Sequence, residues 1–214
     1  WMLDSPVLIS EEYYRFTKTV RGLGSVFAEA KLAEGLTLKS TLNIDYTNLN
    51  DEAYTPSISR ESGNRNANGF GVYGSTQDFT WLAENYLSYT KDFGDKHSLS
   101  AVLGNSYQKS TRDFVDISAE RFPNDEFTKL SVAALTTVGT TSGTEWGLSS
   151  YFFRLNYGFA DKYLFTFTGR SDGSSRFGDN SRYGFFPSGS FAWRLGDEEF
   201  MQDQNVVSDA KVRV

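Results

Sequence analysis

The strongest constraint in the sequence is an alternation of period two between Tyr151 and Leu195. Tyr151, Phe153, Leu155, Tyr157 and Phe159 alternate with Phe152, Arg154, Asn156 and Gly158. Only an extended strand turns that spacing into one apolar and one largely polar face. After Ala160-Asp161-Lys162 the alternation resumes, with Tyr163, Phe165, Phe167 and Gly169 set against Leu164, Thr166, Thr168 and Arg170, which predicts a tight hairpin. A polar segment from Ser171 to Tyr183 leads to a third strand. There Phe185, Pro187, Gly189, Phe191, Trp193 and Leu195 alternate with Phe186, Ser188, Ser190, Ala192 and Arg194.

The preceding chain repeats this design more faintly. Residues 1–19, with Pro6 and the charged cluster Glu11, Glu12, Arg15 and Lys18, read as the end of a loop, and strand character begins near Val20. From there Val20, Gly22, Gly24, Val26, Ala28, Ala30 and Leu32 mark one face, although Leu23 and Phe27 interrupt the polar one. Ala33-Glu34-Gly35 forms a turn into a cleaner strand, with Leu36, Leu38, Ser40, Leu42, Ile44 and Tyr46 against Thr37, Lys39, Thr41, Asn43, Asp45 and Thr47. A long polar loop is expected from about Asn48 to Asp78. Phe79, Trp81, Ala83, Leu87 and Tyr89 then mark one strand, and Leu99, Ala101, Leu103 and Tyr107 the next, joined by the short Lys91–His97 segment.

A second long connection is expected from about Phe114 to Ser149, where Asn124 is placed to cap a short helix carrying Phe127, Leu130 and Ala134 on one face. After Leu195 one helical turn is expected around Glu199 to Met201, and Val212-Arg213-Val214 begins a further strand. The reading is all-β and antiparallel, with about seven strands and the start of an eighth.

Composition narrows the chemistry. The 214 residues contain no cysteine and one histidine, His97, so disulfide frameworks, cysteine–zinc sites, thiol nucleophiles and histidine triads are set aside. The formal net charge of -6 argues against a nucleic-acid partner, which would call for a basic footprint. No run of eighteen or more apolar residues is present, so a transmembrane helix is not expected. Trp1 to Pro6 do not show the basic, apolar and small-residue series of a signal peptide. What stays open is a soluble β protein or a transmembrane β-barrel, whose alternating strands escape hydropathy scans.

Three features favour the barrel over a soluble sandwich. Short and long connections alternate in order, as they do where turns lie on one side of a membrane and loops on the other. The apolar face from Leu36 to Tyr46 spans ten steps of about 3.3 Å, which a tilt of roughly 40° projects to about 25 Å, the height of a lipid-facing band. Aromatics fall near both ends of the strands: Phe93, Phe159, Tyr163 and Trp193 by the short turns, and Tyr46, Trp81, Tyr107, Tyr151 and Phe185 about ten residues away. Strand propensity alone explains aromatics in strands but not their clustering at both ends. Arg154, Asn156, Thr166, Arg170, Ser188 and Arg194 would then point into a polar lumen. Two rivals remain: a small closed barrel of structural or adhesive function, and a soluble all-β carbohydrate-binding module.

Four blocks in fixed order carry a family resemblance. Tyr151-Phe152-Phe153-Arg154-Leu155-Asn156-Tyr157, Asp161-Lys162-Tyr163-Leu164, Arg170-Ser171-Asp172-Gly173-Ser174-Ser175-Arg176-Phe177-Gly178 and Gly184-Phe185-Phe186-Pro187-Ser188 resemble the barrel signature of SusC/RagA-type TonB-dependent outer-membrane transporters. Asp209-Ala210-Lys211-Val212-Arg213-Val214 is similar to the start of that family's next strand, with Ala210 and Val212 in place of leucines. The resemblance implies a 22-stranded barrel around an N-terminal plug. It also implies a TonB-contacting segment, a SusD-type lid lipoprotein and the import of oligosaccharides or peptides across the outer membrane. It implies no cofactor and no catalytic step. On this reading residues 1–19 end an extracellular loop and 20–214 are an interior part of the barrel, without the plug and the TonB-contacting segment.

Two motifs invite other readings. Gly69-Phe70-Gly71-Val72-Tyr73-Gly74 matches G-x-G-x-x-G, yet a dinucleotide site needs a strand before it and a helix after it, and neither is expected here. Asp172 to Asp179 has the composition of a calcium or phosphate loop without the carboxylate spacing of an EF-hand or the Lys-Ser/Thr pair of a P-loop. There Gly173 and Gly178 are expected to permit turns, and Arg176 and Arg182 to pair with Asp172 or Asp179. Arg60, Arg65, Tyr73, Trp146, Arg176 and Arg182 offer planar donors and aromatic faces suited to a sugar, a peptide or a lid. Glu84 and Arg154 are candidates for a permeation path, and His97 reads as a solvated turn residue.

Overall fold

The computed structural model describes residues 6–59, 68–178, 182–201 and 210–214. Eight strands form one sheet in chain order: β1 (Tyr14–Ala33), β2 (Leu36–Thr55), β3 (Phe70–Phe93), β4 (His97–Glu120), β5 (Leu135–Phe159), β6 (Tyr163–Ser174), β7 (Tyr183–Arg194) and β8 (Lys211–Arg213). A short helix, α1 (Pro6–Glu12), precedes them. The chain clusters into two compact units. A loop unit takes in Trp1–Leu23, Ile44–Thr80 and Ser110–Glu145, and a turn unit takes in Gly24–Asn43, Trp81–Lys109 and Trp146–Val214.

The register of β5, β6 and β7 is the one the alternation demands. Tyr157 lies opposite Phe165, which lies opposite Phe191, while Asn156 meets Thr166 and Thr166 meets Ser190. Every apolar position expected in these strands therefore shares one face. Ring contacts follow from the pairing: Phe165 and Phe191 are 4.9 Å apart, and Phe159, Tyr163 and Trp193 stack in series at 6.2 and 6.1 Å. Such cross-strand pairs contribute roughly 0.2–1 kcal/mol each.

No second layer covers that face among the described residues. Leu103, Phe167 and Phe185 are 60, 52 and 62 % exposed, and the buried apolar residues are Tyr54, Ala119 and Phe122. A soluble sandwich buries the inner faces of two sheets against each other and rarely exposes an apolar patch of this extent. A sheet wetted by hydrocarbon on one side has no such requirement.

Short turns close the strands at one end. Gly35 and Gly94 take positive φ of 74° and 61°, and Ala160 and Asp161 take 53° and 55°, the paired left-handed conformation of a type I′ turn, which Lys162 N–H closes on Phe159 O at 3.0 Å. Asp tolerates that region better than most residues. The turns are also tied sideways: Thr90 N–H donates to Gly35 O at 2.9 Å, Ala160 N–H to Lys96 O at 2.5 Å, and Arg194 N–H to Lys162 O at 2.9 Å. Beyond β7, two 3₁₀ turns, Leu195–Asp197 and Glu199–Met201, bring Glu198 back to this rim. Its carboxylate accepts from Lys162 Nζ (2.9 Å), Tyr163 Oη (2.8 Å) and Trp193 Nε1 (3.0 Å).

Strand boundaries depart from expectation toward longer strands. Residues 1–19 are not a loop throughout, since α1 and the first part of β1 lie there and β1 begins at Tyr14 rather than near Val20. The loop expected over 48–78 shrinks to 56–69, and that over 114–149 to 121–134, because β2, β3, β4 and β5 run on past their apolar stretches. Backbone ladders need no apolar face. Polar pairs sustain these extensions: Arg112 grips Asp78 at 2.6 and 3.0 Å, Asp51 accepts from Thr17 Oγ1 at 2.5 Å and from Arg15 at 3.2 Å, and Ser75 donates to Asn50 Oδ1 at 2.8 Å. The short helix expected over Phe127, Leu130 and Ala134 is also absent. Asn124 Oδ1 instead accepts from the N–H groups of Glu126 (3.1 Å) and Phe127 (3.3 Å) in a local turn, and only a 3₁₀ turn, Leu130–Val132, follows.

Two outcomes test this architecture in a full-length protein. With the apolar face against hydrocarbon, Phe165→Arg near mid-bilayer destabilises by about 2–4 kcal/mol, whereas Thr166→Arg, on the opposite face, costs far less. Equal shifts in a urea-unfolding series in lipid would contradict the assignment of faces. The second concerns Glu198, whose carboxyl is lowered to about 2 by the hydrogen bonds from Trp193, Lys162 and Tyr163. A depressed carboxyl contributes stability above its unfolded value near 4.3 and loses it as pH falls through the folded value. Acid titration followed by tryptophan fluorescence should show a transition between about pH 4.5 and about 2 that Glu198→Gln removes.

Candidate functional site

In the loop unit the described parts of the long connections are packed rather than free. Tyr54, at the end of β2, meets Phe122 edge to face with centroids 5.0 Å apart, and Leu130 and Ala133 pack against this pair. Asp125 closes the cluster, accepting from Tyr54 Oη (2.8 Å), Ser57 N–H (2.8 Å) and Ser57 Oγ (2.7 Å). Burial pushes the Asp125 carboxyl up, but the bonds from Ser57 and Tyr54 outweigh it and leave the carboxyl below its usual range. Burial, aided by the neighbouring carboxylate, raises the Tyr54 phenol.

The glycines of the G-x-G-x-x-G match belong to this packing. Gly69 has φ +84° and a Cβ there would strike the Tyr54 hydroxyl, while a Cβ on Gly71 would press on Leu130 and the Phe122 ring. Strand β3 begins at Phe70, with no helix behind it, so the motif serves close approach rather than a dinucleotide.

Tyr73 lines a cavity of about 230 Å³ with Tyr14, Glu52 and Lys129. Its hydroxyl donates to Asn50 Oδ1 at 3.2 Å, and Lys129 Nζ donates to Glu52 at 2.7 Å, which raises the lysine. Arg60 and Arg65 lie outside the described residues.

In the turn unit the structure brings two of the predicted residues together. The Arg176 guanidinium lies over the Trp146 ring, 5.5 Å from its centroid. This seat replaces the expected pairing of Arg176 with Asp172, because Asp172 is held by Arg170 Nε at 2.7 and 2.8 Å; Asp179 lies outside the described residues. The loop carrying Arg176 is pinned to β5 by Ser175, whose N–H donates to Gly147 O (2.9 Å) and whose Oγ accepts from Gly147 N–H (2.8 Å). Beside it a cavity of about 230 Å³ is lined by Tyr107, Ser149, Arg182 and Tyr183. Arg176, on its exposed loop, thus meets Trp146, which is half-buried in β5, and the exposed Arg182 lines the adjacent cavity.

The polar face holds a second group that sequence reasoning only half identified. Arg154 lines a concavity of about 380 Å³ with Tyr86, Phe152 and Arg170. Tyr86 and Phe152 have centroids 5.5 Å apart, Arg170 lies 5.8 Å over Phe152, and Tyr86 Oη donates to Glu84 at 2.8 Å. Phe152 was visible as an aromatic on the polar face, and the signal was its opposition to Arg170 across the hairpin. His97 is not simply solvated: Nδ1 lies 2.7 Å from Tyr157 Oη, and its ring sits 5.0 Å from Phe159 within the aromatic belt of the short turns.

No protein-family model matches the sequence. Individual proteins do. TonB-dependent receptor P3 of Formosa agariphila is 33 % identical over 99 % of this chain, which spans 21 % of that receptor. TonB-dependent receptor SusC of Bacteroides thetaiotaomicron is 36 % identical over 68 % of the chain and 15 % of the receptor. The RagAB peptide importer in its open-open state superposes with a TM-score of 0.83 at 25 % identity, covering 96 % of this chain and 22 % of the importer chain. The chain belongs to the SusC/RagA-type TonB-dependent receptors. It spans about a fifth of the curated relatives it matches, all of it within their barrel region, and its sheet is a partial barrel.

The glycine packing yields a test. In the full-length receptor, Gly69→Ala combines a left-handed φ with overlap on Tyr54 and should destabilise the loop unit by at least about 1 kcal/mol. Gly178, with open space around it, is the control. Hydrogen exchange at the Phe122 amide, which donates to Asn68 O at 2.8 Å, should accelerate in Gly69→Ala and stay unchanged in Gly178→Ala.

Proposed function

We propose that the parent protein is an outer-membrane importer of oligosaccharides or peptides, driven through TonB and covered by a SusD-type lid lipoprotein. This chain supplies part of its barrel wall. The observation that carries the reading is the uncovered apolar face in register across β5–β7, opposite a polar face bearing Arg154, Arg170 and Glu84. That arrangement suits a wall between hydrocarbon and a wet lumen. Likeness to SusC and to the RagAB peptide importer supports the substrate class and the lid. Residues 1–19 and the 56–69, 121–134 and 175–182 connections face the outside of the cell on this reading. Nothing in it requires a cofactor, a catalytic group or a nucleic acid.

The Trp146–Arg176 pair is the contact we assign to substrate or lid. A guanidinium stacked on an indole is a stiff, planar donor surface that can meet a sugar ring, a peptide carbonyl or a carboxylate at low entropic cost. The test is growth of a strain carrying the full-length receptor on its cognate nutrient, with lid co-purification measured in parallel. Trp146→Ala with Arg176→Ala should lower uptake or lid retention about ten-fold while heat-modifiable migration of the barrel is unchanged, a change of about 1.4 kcal/mol. Normal uptake and normal lid retention would remove the pair from the binding surface.

A further inference from the structure

The Arg154 guanidinium stands exposed on the polar face of the turn unit, without an acceptor among the described residues. Period-two alternation puts it on the same face of β5 as Phe152, and the ladder sets these two opposite Thr168 and Arg170 of β6. All four line the concavity of about 380 Å³ with Tyr86 and Val102. The other charged and phenolic groups there are engaged. Arg170 Nε donates to both oxygens of Asp172, its Nη2 donates to Ser150 Oγ at 3.3 Å, and the Tyr86 hydroxyl donates to Glu84. The Thr168 hydroxyl, like Arg154, has no partner among the described residues.

Beside this pair of open donors lies an aromatic surface that is held in place. A Cβ at Gly104 would come within 2.3 Å of the Phe152 ring, so the glycine lets that ring lie down on β4. Tyr86 flanks it at 5.5 Å with the two rings inclined by 54°, and Arg170 braces it from 5.8 Å. The inclined rings form a shallow apolar cradle, and both are half-buried.

We propose that this concavity is a subsite on the lumen wall for hexuronate units, the carboxylate-bearing rings of an acidic oligosaccharide. The proposal rests on the lumen reading of the polar face given above, and it narrows the substrate class. A pyranose ring has an apolar C–H face that suits an aromatic cradle. A guanidinium fork meets a carboxylate through two parallel hydrogen bonds. Directly opposed residues in an antiparallel pair have Cβ atoms about 5 Å apart, so Arg154 and Thr168 can hold a carboxylate and the hydroxyl next to it. A neutral sugar would leave Arg154 without an acceptor. An acidic peptide side chain would satisfy Arg154 but has no ring to lay on Tyr86 and Phe152.

The experiment titrates the full-length receptor in detergent with trigalacturonate, its neutral methyl ester and triglutamate, read by calorimetry. The wild type should bind trigalacturonate about ten-fold more tightly than the ester or the peptide. Arg154→Gln should abolish the preference for acid over ester, Arg154→Lys should keep part of it, and Phe152→Ala should weaken both sugars, with heat-modifiable migration unchanged in each variant. Equal binding of acid and ester by the wild type, or a preference that survives Arg154→Gln, would overturn the subsite. Triglutamate bound as tightly as trigalacturonate would overturn its assignment to a sugar. Labelling of Arg154→Cys in native outer membranes separates these failures from that of the lumen reading. Reaction with a water-soluble maleimide is expected. Reaction with a lipid-soluble maleimide alone would overturn the lumen reading and the subsite with it, whereas reaction with neither would mean that another part of the receptor covers Arg154 and would overturn the subsite alone.

Discussion

Everything in this chain depends on the register of its antiparallel ladder. Side chains alternate with a period of two, so a slip of one residue between β5 and β6 would send Phe165 and Phe167 to the polar face and bring Thr166 and Thr168 to the apolar one. The observed pairing avoids this at every position from Tyr151 to Trp193. It is held from one end by the Ala160-Asp161 turn and along its length by aromatic contacts such as Phe165 with Phe191. With the register fixed, one face is made for hydrocarbon and the other for water, and the barrel reading follows.

Beyond the apolar stretches the same strands continue in a different solvent, and their stabilisation changes character. In the loop unit, the bidentate Arg112–Asp78 pair and the Arg15–Asp51 pair join neighbouring strands on exposed surfaces, where each contributes little alone. The connections above are anchored by a small true core of Tyr54, Ala119 and Phe122, with Asp125 satisfying the Tyr54 hydroxyl. That core is compact enough to need glycine at 69 and 71, which accounts for a motif that would otherwise suggest a nucleotide. Packed connections of this kind suit a binding surface, because a rigid loop loses less entropy when it meets a ligand.

The candidate site was partly legible. Trp146, Arg176 and Arg182 are planar groups that the sequence places in loops; Trp146 lies in β5 instead, and the bonds between Ser175 and Gly147 bring Arg176 over its ring, with Arg182 in the neighbouring cavity. Tyr73 falls in the other unit, beside Glu52 and Lys129. The cluster of Tyr86, Phe152 and Arg170 was not foreseen as a group. The alternation puts both Arg170 and Phe152 on the largely polar face, and nothing local in the sequence relates Tyr86 to either. Asp172 was expected to meet an arginine of its own loop, yet Arg170, two residues back on the same face of β6, is nearer and wins.

The sequence by itself determined where strands with an apolar face run, because period-two alternation, turn residues and terminal aromatics are all local signals. It therefore yielded the tight hairpin at Ala160-Asp161, the 3₁₀ turn at Glu199–Met201, the eighth strand and the family. Tertiary structure alone decided how far the strands run, since Thr-rich and Ser-rich segments such as Leu135–Gly147 lack alternation and are held extended only by the neighbour that pairs with them. It also decided which polar residues meet. Ser40, Asn85 and Asn105 are separated by 45 and 20 positions in the chain, and only the strand order and register bring their side chains within hydrogen-bonding distance on a face where lipid cannot replace them.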